Sequence, residues 1–162
     1  MAITCTVRAR NAIGLSAASS PSNSVTPVGV PSAPTIGAAT TGNAQANVTF
    51  TAPGNNGGSA ITGYTVTSSP GGFTGTGMGS PIAVTGLTNG IAYTFSVTAT
   101  NAIGTSVASQ ASNSVTPASA LGAPTIGIAT AGSAQASVTF TAPGSNGGSV
   151  ITGFTVTSSP VA

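Results

Sequence analysis

The amino-acid sequence predicts an all-β protein, a seven-stranded antiparallel sandwich used as a tandem repeat of 90 residues. Three observations predict it. Short runs rich in Val, Ile, Thr, Phe and Tyr are broken by Gly, Pro and Asn-Gly, the punctuation of strands and tight turns. No window carries the apolar spacing of three and four that an amphipathic helix needs. Segments also recur without a gap at an offset of 90: residues 33–37 (APTIG) return as 123–127, 48–54 (VTFTAPG) as 138–144 and 65–70 (TVTSSP) as 155–160. Residues 11–14 (NAIG) and 22–27 (SNSVTP) return as 101–104 and 112–117. A register held to the residue implies fixed loop lengths and one fold reused each time.

The repeat divides the chain into residues 1–29, 30–118 and 119–162, of which the middle one is a complete unit. Its first strand is expected at Ala33–Ile36, where Pro31 and Pro34 suit an edge. The second, Gln45–Ala52, places Ala46, Val48 and Phe50 on one face and Asn47, Thr49 and Thr51 on the other. The loop PGNNGGS comes next, rich in residues that tolerate positive φ. The third strand, Ile61–Ser68, points Tyr64 and Val66 inward. The Gly-rich stretch 71–80 reads as a weak fourth strand or a loop. Ile82–Leu87 is the fifth strand, closed by a turn at Thr88-Asn89-Gly90. The sixth, Ala92–Asn101, alternates Tyr93, Phe95, Val97 and Ala99 against Thr94, Ser96, Thr98 and Thr100. The seventh is expected at Ser106–Thr116.

Seven short strands with turns every ~8–12 residues are the signature of an immunoglobulin-like sandwich. Phe50, Tyr64, Leu87, Tyr93, Phe95 and Val97 are the large members of its expected core, joined by Ile36, Val48, Ile61, Val66, Ile82 and Val84. The middle unit has no cysteine, so the inter-sheet disulfide of antibody domains is excluded. Residues 1–29 match the last two strands of the unit and 119–162 its first three. By that register Ile3, Cys5, Arg8 and Arg10 stand where Tyr93, Phe95, Thr98 and Thr100 stand. A buried free thiol at Cys5 and a solvated arginine pair are expected, with a small anion or glycan contact as the alternative for Arg8 and Arg10.

The pattern Ala33-Pro34, then Val48–Phe50, Tyr64–Val66 and G-L-x-x-G-x-x-Y-x-F-x-V-x-A-x-N-x-x-G-x-S over Gly86–Ser106 resembles bacterial fibronectin type III modules. The resemblance covers the complete unit and both partial ones. It implies a tyrosine corner at Leu87 and Tyr93, in which the phenol bonds back to the connection before the sixth strand. Phe50 and Phe140 stand where the family most often has Trp. The loop that carries an Arg-Gly-Asp integrin motif in some animal members reads NAIGTS and NAIGLS here, and the chain has no Asp. The resemblance implies a spacer, an adhesion element or an accessory module, which is architecture more than chemistry.

Charge limits function more than any motif. The chain has two Lys+Arg, no Asp or Glu and no His. General acid–base catalysis and activated nucleophiles lean on residues that are missing, and one Cys cannot build a zinc site, so no enzyme, metal or cofactor is expected. Two arginines are too few for a nucleic-acid footprint, and no apolar run reaches the length of a membrane span. No export signal is legible at the N-terminus. Thr-x-Thr pairs such as Thr65/Thr67 on outward faces allow a glycan contact but accord with strand propensity alone.

The expected role is a non-catalytic repeat segment of an extracellular or surface array or fibre. The alternatives are a virion or tail-fibre component and an accessory module of a secreted carbohydrate-active enzyme. The expected partners are neighbouring repeats or copies of the chain itself, by head-to-tail strand complementation, because neither flanking piece buries its apolar face alone. Edges without charge are also expected to be poorly defended against strand pairing.

With no carboxylate or imidazole side chain, nothing on the side chains titrates between neutral and acid pH. Thermal unfolding should keep the same midpoint from about pH 7 to about pH 4, above the range of the chain-terminal carboxylate. A fall of several degrees across that window would contradict the reasoning.

Overall fold

Val, Phe and Ala alternating with Thr and Ser make strands whose every second side chain is buried, and strand β6 (Thr94–Asn101) shows this at all eight positions. The structure, a computed structural model, describes residues 2–159. The other strands are β1 (Thr35–Gly42), β2 (Gln45–Thr51), β3 (Ile61–Ser69), β4 (Thr74–Gly77), β5 (Ile82–Thr85), β7 (Thr125–Gly132) and β8 (Gln135–Thr141). Among the described residues there is no helix.

Two three-stranded antiparallel sheets, β1-β2-β5 and β4-β3-β6, enclose one core, and β7-β8 form a separate pair. Ala46, Val48, Val66, Val84, Val97 and Ala99 are wholly buried, and Ala39, Phe50, Tyr64, Ile82, Leu87, Tyr93 and Phe95 complete the cluster. Ile36 and Ile61 pack against it half-buried. Phe50 and Tyr64 meet across the sheets at 4.7 Å between ring centroids, a tilted pairing. Burial of each such Val or Phe side chain contributes about 1.5–3 kcal/mol, so this cluster carries the sandwich.

Several boundaries differ from the sequence expectation. The first strand is Thr35–Gly42, because a bulge between Ile36 and Ala39 lets the chain continue pairing with β2. Gly37 sits in that bulge, where a Cβ would lie 2.5 Å from the Thr49 hydroxyl. At the hairpin turn Ala44 takes a left-handed φ of 52°, a conformation that costs a Cβ-bearing residue about 1 kcal/mol. Its carbonyl accepts the Leu87 N–H at 3.0 Å. The fifth strand stops at Thr85, since Gly86 turns at positive φ, and Leu87 enters the core from the connection beyond it. The Gly-rich stretch does contain a strand, β4, which covers the free edge of β3.

The seventh strand is absent as a regular strand. Residues 106–115 run beside β6 with three residues for every two of their partner. The N–H groups of Ser106, Ser109 and Ser112 donate to the carbonyls of Ala99, Val97 and Phe95 at 2.8–2.9 Å. In return the N–H groups of Ala99, Val97 and Phe95 donate to Ser106, Ser109 and Ser112 Oγ, each at 3.0 Å. Serine hydroxyls thus stand in for the backbone carbonyls of a normal ladder, and each also donates to the carbonyl of the following residue. Only Val115 pairs with Tyr93 through backbone in both directions. This segment defends its sheet edge without charge: a strand that coils and spends its carbonyls on its own serines offers no flat ladder to a neighbour. The expectation of undefended edges fails at this edge for that reason.

Residues 3–25 repeat that pairing with Ser16, Ser19 and Ser22 against Ala9, Val7 and Cys5. Cys5 is exposed, not buried as its place in the repeat suggests. The alternation that points it inward is present, but no opposing sheet lies over it among the described residues. At the other end β7 and β8 reproduce the register and the bulge of β1 and β2. Residues 151–159 form no strand, in contrast to the third strand expected there, because a central strand needs a partner ladder and none lies beside it among the described residues.

Ser109→Ala removes the acceptor of the buried Val97 N–H. Urea unfolding should show a loss of about 1–3 kcal/mol, the cost of an unsatisfied buried donor. An unchanged midpoint would mean that the serine period is incidental.

Candidate functional site

The chemistry available is that of amides, hydroxyls and backbone, and it gathers at the two poles of the sandwich. Asn101 ends β6 and is only 4% exposed. Its Oδ1 accepts the N–H groups of Ile103 and Gly104 at 2.9 and 3.1 Å, which closes the NAIG turn. Its Nδ2 donates to Gly29 O and Asn56 O, both at 2.8 Å. One amide therefore ties the end of β6, the loop 53–59 and the segment that enters the unit. Gly29 N–H donates to Gly57 O at 2.8 Å, and Ser32 N–H to Asn55 O at 2.9 Å, so the entering chain lies along this loop. Asn55 and Asn56 hold the loop by accepting the N–H groups of Gly57 and Gly58. Gly57 is at positive φ with its missing Cβ directed at the Gly29 carbonyl, so a side chain is excluded.

The opposite pole carries the matching half. Asn89 Oδ1 accepts the Ala44 N–H at 2.8 Å and its Nδ2 donates to Asn43 Oδ1 at 2.8 Å, fixing the turn 88–90 against the β1–β2 hairpin. Gly90 N–H donates to Pro117 O at 2.9 Å and Ala118 N–H to Gly42 O at 3.3 Å. Pro117 is fully buried there. Ser119 N–H then donates to Gly147 O at 2.8 Å, the counterpart of Gly29 on Gly57. Gly148 seats directly on the turn: a Cβ on it would lie 2.6 Å from Gly90 N and 3.0 Å from Asn89 C. Loop 144–149 thus lies on turn 88–90, with Pro117–Ser119 threaded between. Such a contact admits no side chain at Gly148.

The core residues expected from sequence lie inside the sandwich, away from this joint. Tyr93 Oη accepts the Thr88 N–H at 3.2 Å and Leu87 is buried beside it, so the corner geometry at the start of β6 is present. Arg8 and Arg10 are exposed on the first hairpin, where Arg10 pairs with Leu15 across the turn. No aromatic ring or second charged group is brought against them among the described residues. Some outward threonines are engaged with backbone, as Thr49 Oγ donates to Ala38 O at 2.9 Å. Asn89, Asn101, Asn113, Gly148 and the serine triplet carry no mark in the alternation pattern. Asn101 and Ser106 stand in the Gly86–Ser106 motif and Asn89 in the turn 88–90, and the 90-residue register marks the rest, repeating Asn23 as Asn113, Gly58 as Gly148 and Ser16, Ser19 and Ser22 as Ser106, Ser109 and Ser112.

Residues 30–115, more than half of the chain, match the family described as fibronectin type III domain. No curated protein matches the chain as a relative. Among solved structures, the crystal structure of domains A168-A170 from titin is 26% identical with a TM-score of 0.51, covering 68% of this chain and 39% of that one. Titin kinase with its flanking domains is 27% identical at a TM-score of 0.49, covering 55% and 17%. The chicken CNTN1 FN1-FN3 domains are 23% identical at 0.44, covering 57% and 33%. The chain therefore spans well under two thirds of the length of each.

Asn101→Ala leaves the Ile103 and Gly104 N–H groups and the Gly29 and Asn56 carbonyls without their partner. Unfolding stability should fall by about 1–3 kcal/mol, and hydrogen exchange should quicken at residues 101–104 and 55–58 together. Exchange that quickens at one loop alone would separate the two.

Proposed function

Because the chain belongs to the fibronectin type III family, whose domains are structural and interaction modules of multidomain proteins, we propose that it is a non-catalytic repeat segment that sets the spacing and angle between successive units. Its partners are neighbouring units of the same kind. The observation that carries this reading is the seat of Gly148 on Asn89 and Gly90. A flexible string of domains has no use for a joint in which the linker is bonded on both sides and one contact tolerates only hydrogen. The titin structure is itself a run of successive domains, which supports the same use here.

The side-chain inventory fits a passive role. No side chain in the joint or the core is an ordinary proton shuttle at neutral pH, and a chain without Asp, Glu, His or Lys has no side-chain charge that changes between about pH 4 and about pH 7. We place it at the cell surface or outside the cell, where such segments act as stalks or adhesion spacers. No helix of the described residues is long and apolar enough to cross a membrane.

Gly148→Val tests the reading. Distances between spin labels on β2 and β8 should form one narrow distribution in the wild type and broaden severalfold in the variant, with the melting of the middle unit unchanged. A broad distribution in the wild type would dispose of the fixed joint.

A further inference from the structure

The chain has no acidic side chain and three Asn-Gly steps, Asn56-Gly57, Asn89-Gly90 and Asn146-Gly147. At such a step a neutral chain can make its own carboxylate, since asparagine amides are among the thermolabile groups of proteins. The nitrogen of the following residue attacks the asparagine Cγ, and glycine, lacking a Cβ, leaves that nitrogen unshielded. A C–N bond closes a succinimide ring, and the side-chain nitrogen leaves as ammonia with the proton of the attacking amide. Water then opens the ring at either carbonyl. One product is aspartate. In the other, isoaspartate, the main chain runs through the side-chain carbon. One water is consumed and one ammonia released, with no oxidant or reductant.

The two steps of the middle unit are held in opposite ways. At Asn89, Oδ1 accepts the Ala44 N–H and Nδ2 donates to Asn43 Oδ1, both at 2.8 Å, so the carboxamide is fastened across the hairpin. The nitrogen that would attack it donates to the carbonyl of the buried Pro117 at 2.9 Å. Ring closure there requires the turn to leave the hairpin and Pro117 together. Asn56 is exposed, and its Oδ1 bends back along its own chain to accept the Gly58 N–H at 2.9 Å. That Asx turn folds the carboxamide over the peptide between Asn56 and Gly57, and the bond it accepts draws electrons from Cγ. The Gly57 N–H donates to Asn55 Oδ1 at 2.8 Å, a hold from an exposed side chain of the same loop that opens without disturbing the core. Asn146 repeats the turn of Asn56 one period on, its Oδ1 accepting the Gly148 N–H at 3.0 Å.

We propose that Asn56 is a self-modifying site, which converts to aspartate and isoaspartate through the Gly57 nitrogen while the chain is folded, and that the fold protects Asn89 from the same reaction. The position gives the conversion a consequence. Asn56 O accepts Asn101 Nδ2 and Gly57 O accepts the Gly29 N–H, each at 2.8 Å, so the carbonyls on both sides of the reacting peptide grip other segments. Isoaspartate turns the first of these carbonyls into a free carboxylate and lengthens the main chain by one carbon before the second. The two bonds cannot both survive that change, and the segment entering the sandwich is released at Gly29. The conversion also takes one unit from a formal net charge of +2. This reaction goes beyond the spacer role and occurs whether or not the joint at Gly148 is rigid.

The folded chain, kept in mildly alkaline buffer and sampled over time, provides the test. Chymotrypsin, cutting after Phe50, Tyr64, Leu87 and Tyr93, separates the two steps into peptides 51–64 and 88–93. Mass spectrometry should find Asn56 converted about tenfold or more faster than Asn89, because Asn89 reacts only when its turn opens. In concentrated urea, where neither turn persists, the two rates should converge. Asn56→Gln should leave peptide 51–64 free of early conversion, since glutamine would have to close a larger ring. In the isoaspartate fraction of the aged wild type, the Gly29 amide should exchange its hydrogen faster than in the fresh protein.

Equal rates at Asn56 and Asn89 in the folded chain would overturn the proposal, as would a ratio that urea leaves unchanged. Early conversion of peptide 51–64 in the Asn56→Gln chain would place the reaction elsewhere in the loop. Unaltered exchange at Gly29 in the isoaspartate fraction would overturn the release of the entering segment.

Discussion

Between β6 and residues 106–115 the chain advances three residues on one side for two on the other, and the serine hydroxyls make that mismatch possible. An ordinary ladder would carry this segment straight along the sheet. Here the coiling brings Asn113 to the β1 bulge, where its Oδ1 accepts the Ala39 N–H at 2.8 Å and its Nδ2 donates to Ala39 O at 3.1 Å. That bidentate contact ties the outermost segment of one sheet to the outermost strand of the other. It also delivers Pro117 to the turn 88–90, where Gly90 donates to its carbonyl. The direction in which the chain leaves the sandwich descends from the hydrogen-bond substitution along β6, and the seat of loop 144–149 on turn 88–90 descends from that direction.

A protein without carboxylates must satisfy its loops another way. Asn55, Asn56, Asn89, Asn101 and Asn113 each bond backbone groups, and no buried side-chain nitrogen or oxygen among the described residues lacks a partner. An amide side chain serves better here than an ion would. It donates and accepts at once, so one residue can cap two loops, and it carries no desolvation penalty of a charge when buried, as Asn101 is. The near-neutral composition and the asparagine-rich joints are two sides of one solution.

The two flanks show how far burial belongs to the whole and not to the residue. Val7 and Val97 occupy equal places in equal hairpins, yet Val97 is fully buried and Val7 lies in solvent. Phe140 and Phe50 differ in the same sense. Local geometry is identical: β7 and β8 share the bulge, the turn and the left-handed alanine, Ala134, of β1 and β2. Hairpin register comes from neighbours in sequence, whereas a core needs a second sheet.

The all-β class, the period of 90 and the inward set from Phe50 to Val97 were legible in the residues alone, because alternation and repetition are local and additive. Other features took shape only in three dimensions. Pairing through serines in the last segment of the unit was invisible to alternation, since a period of three within a β context has no meaning until β6 lies beside it. The exposure of Cys5 and Phe140 depended on whether an opposing sheet is present. The exclusion of a side chain at Gly148 depended on a turn distant in sequence coming within van der Waals reach. Patterns along the chain specify which face is apolar, and only the fold specifies what lies over it.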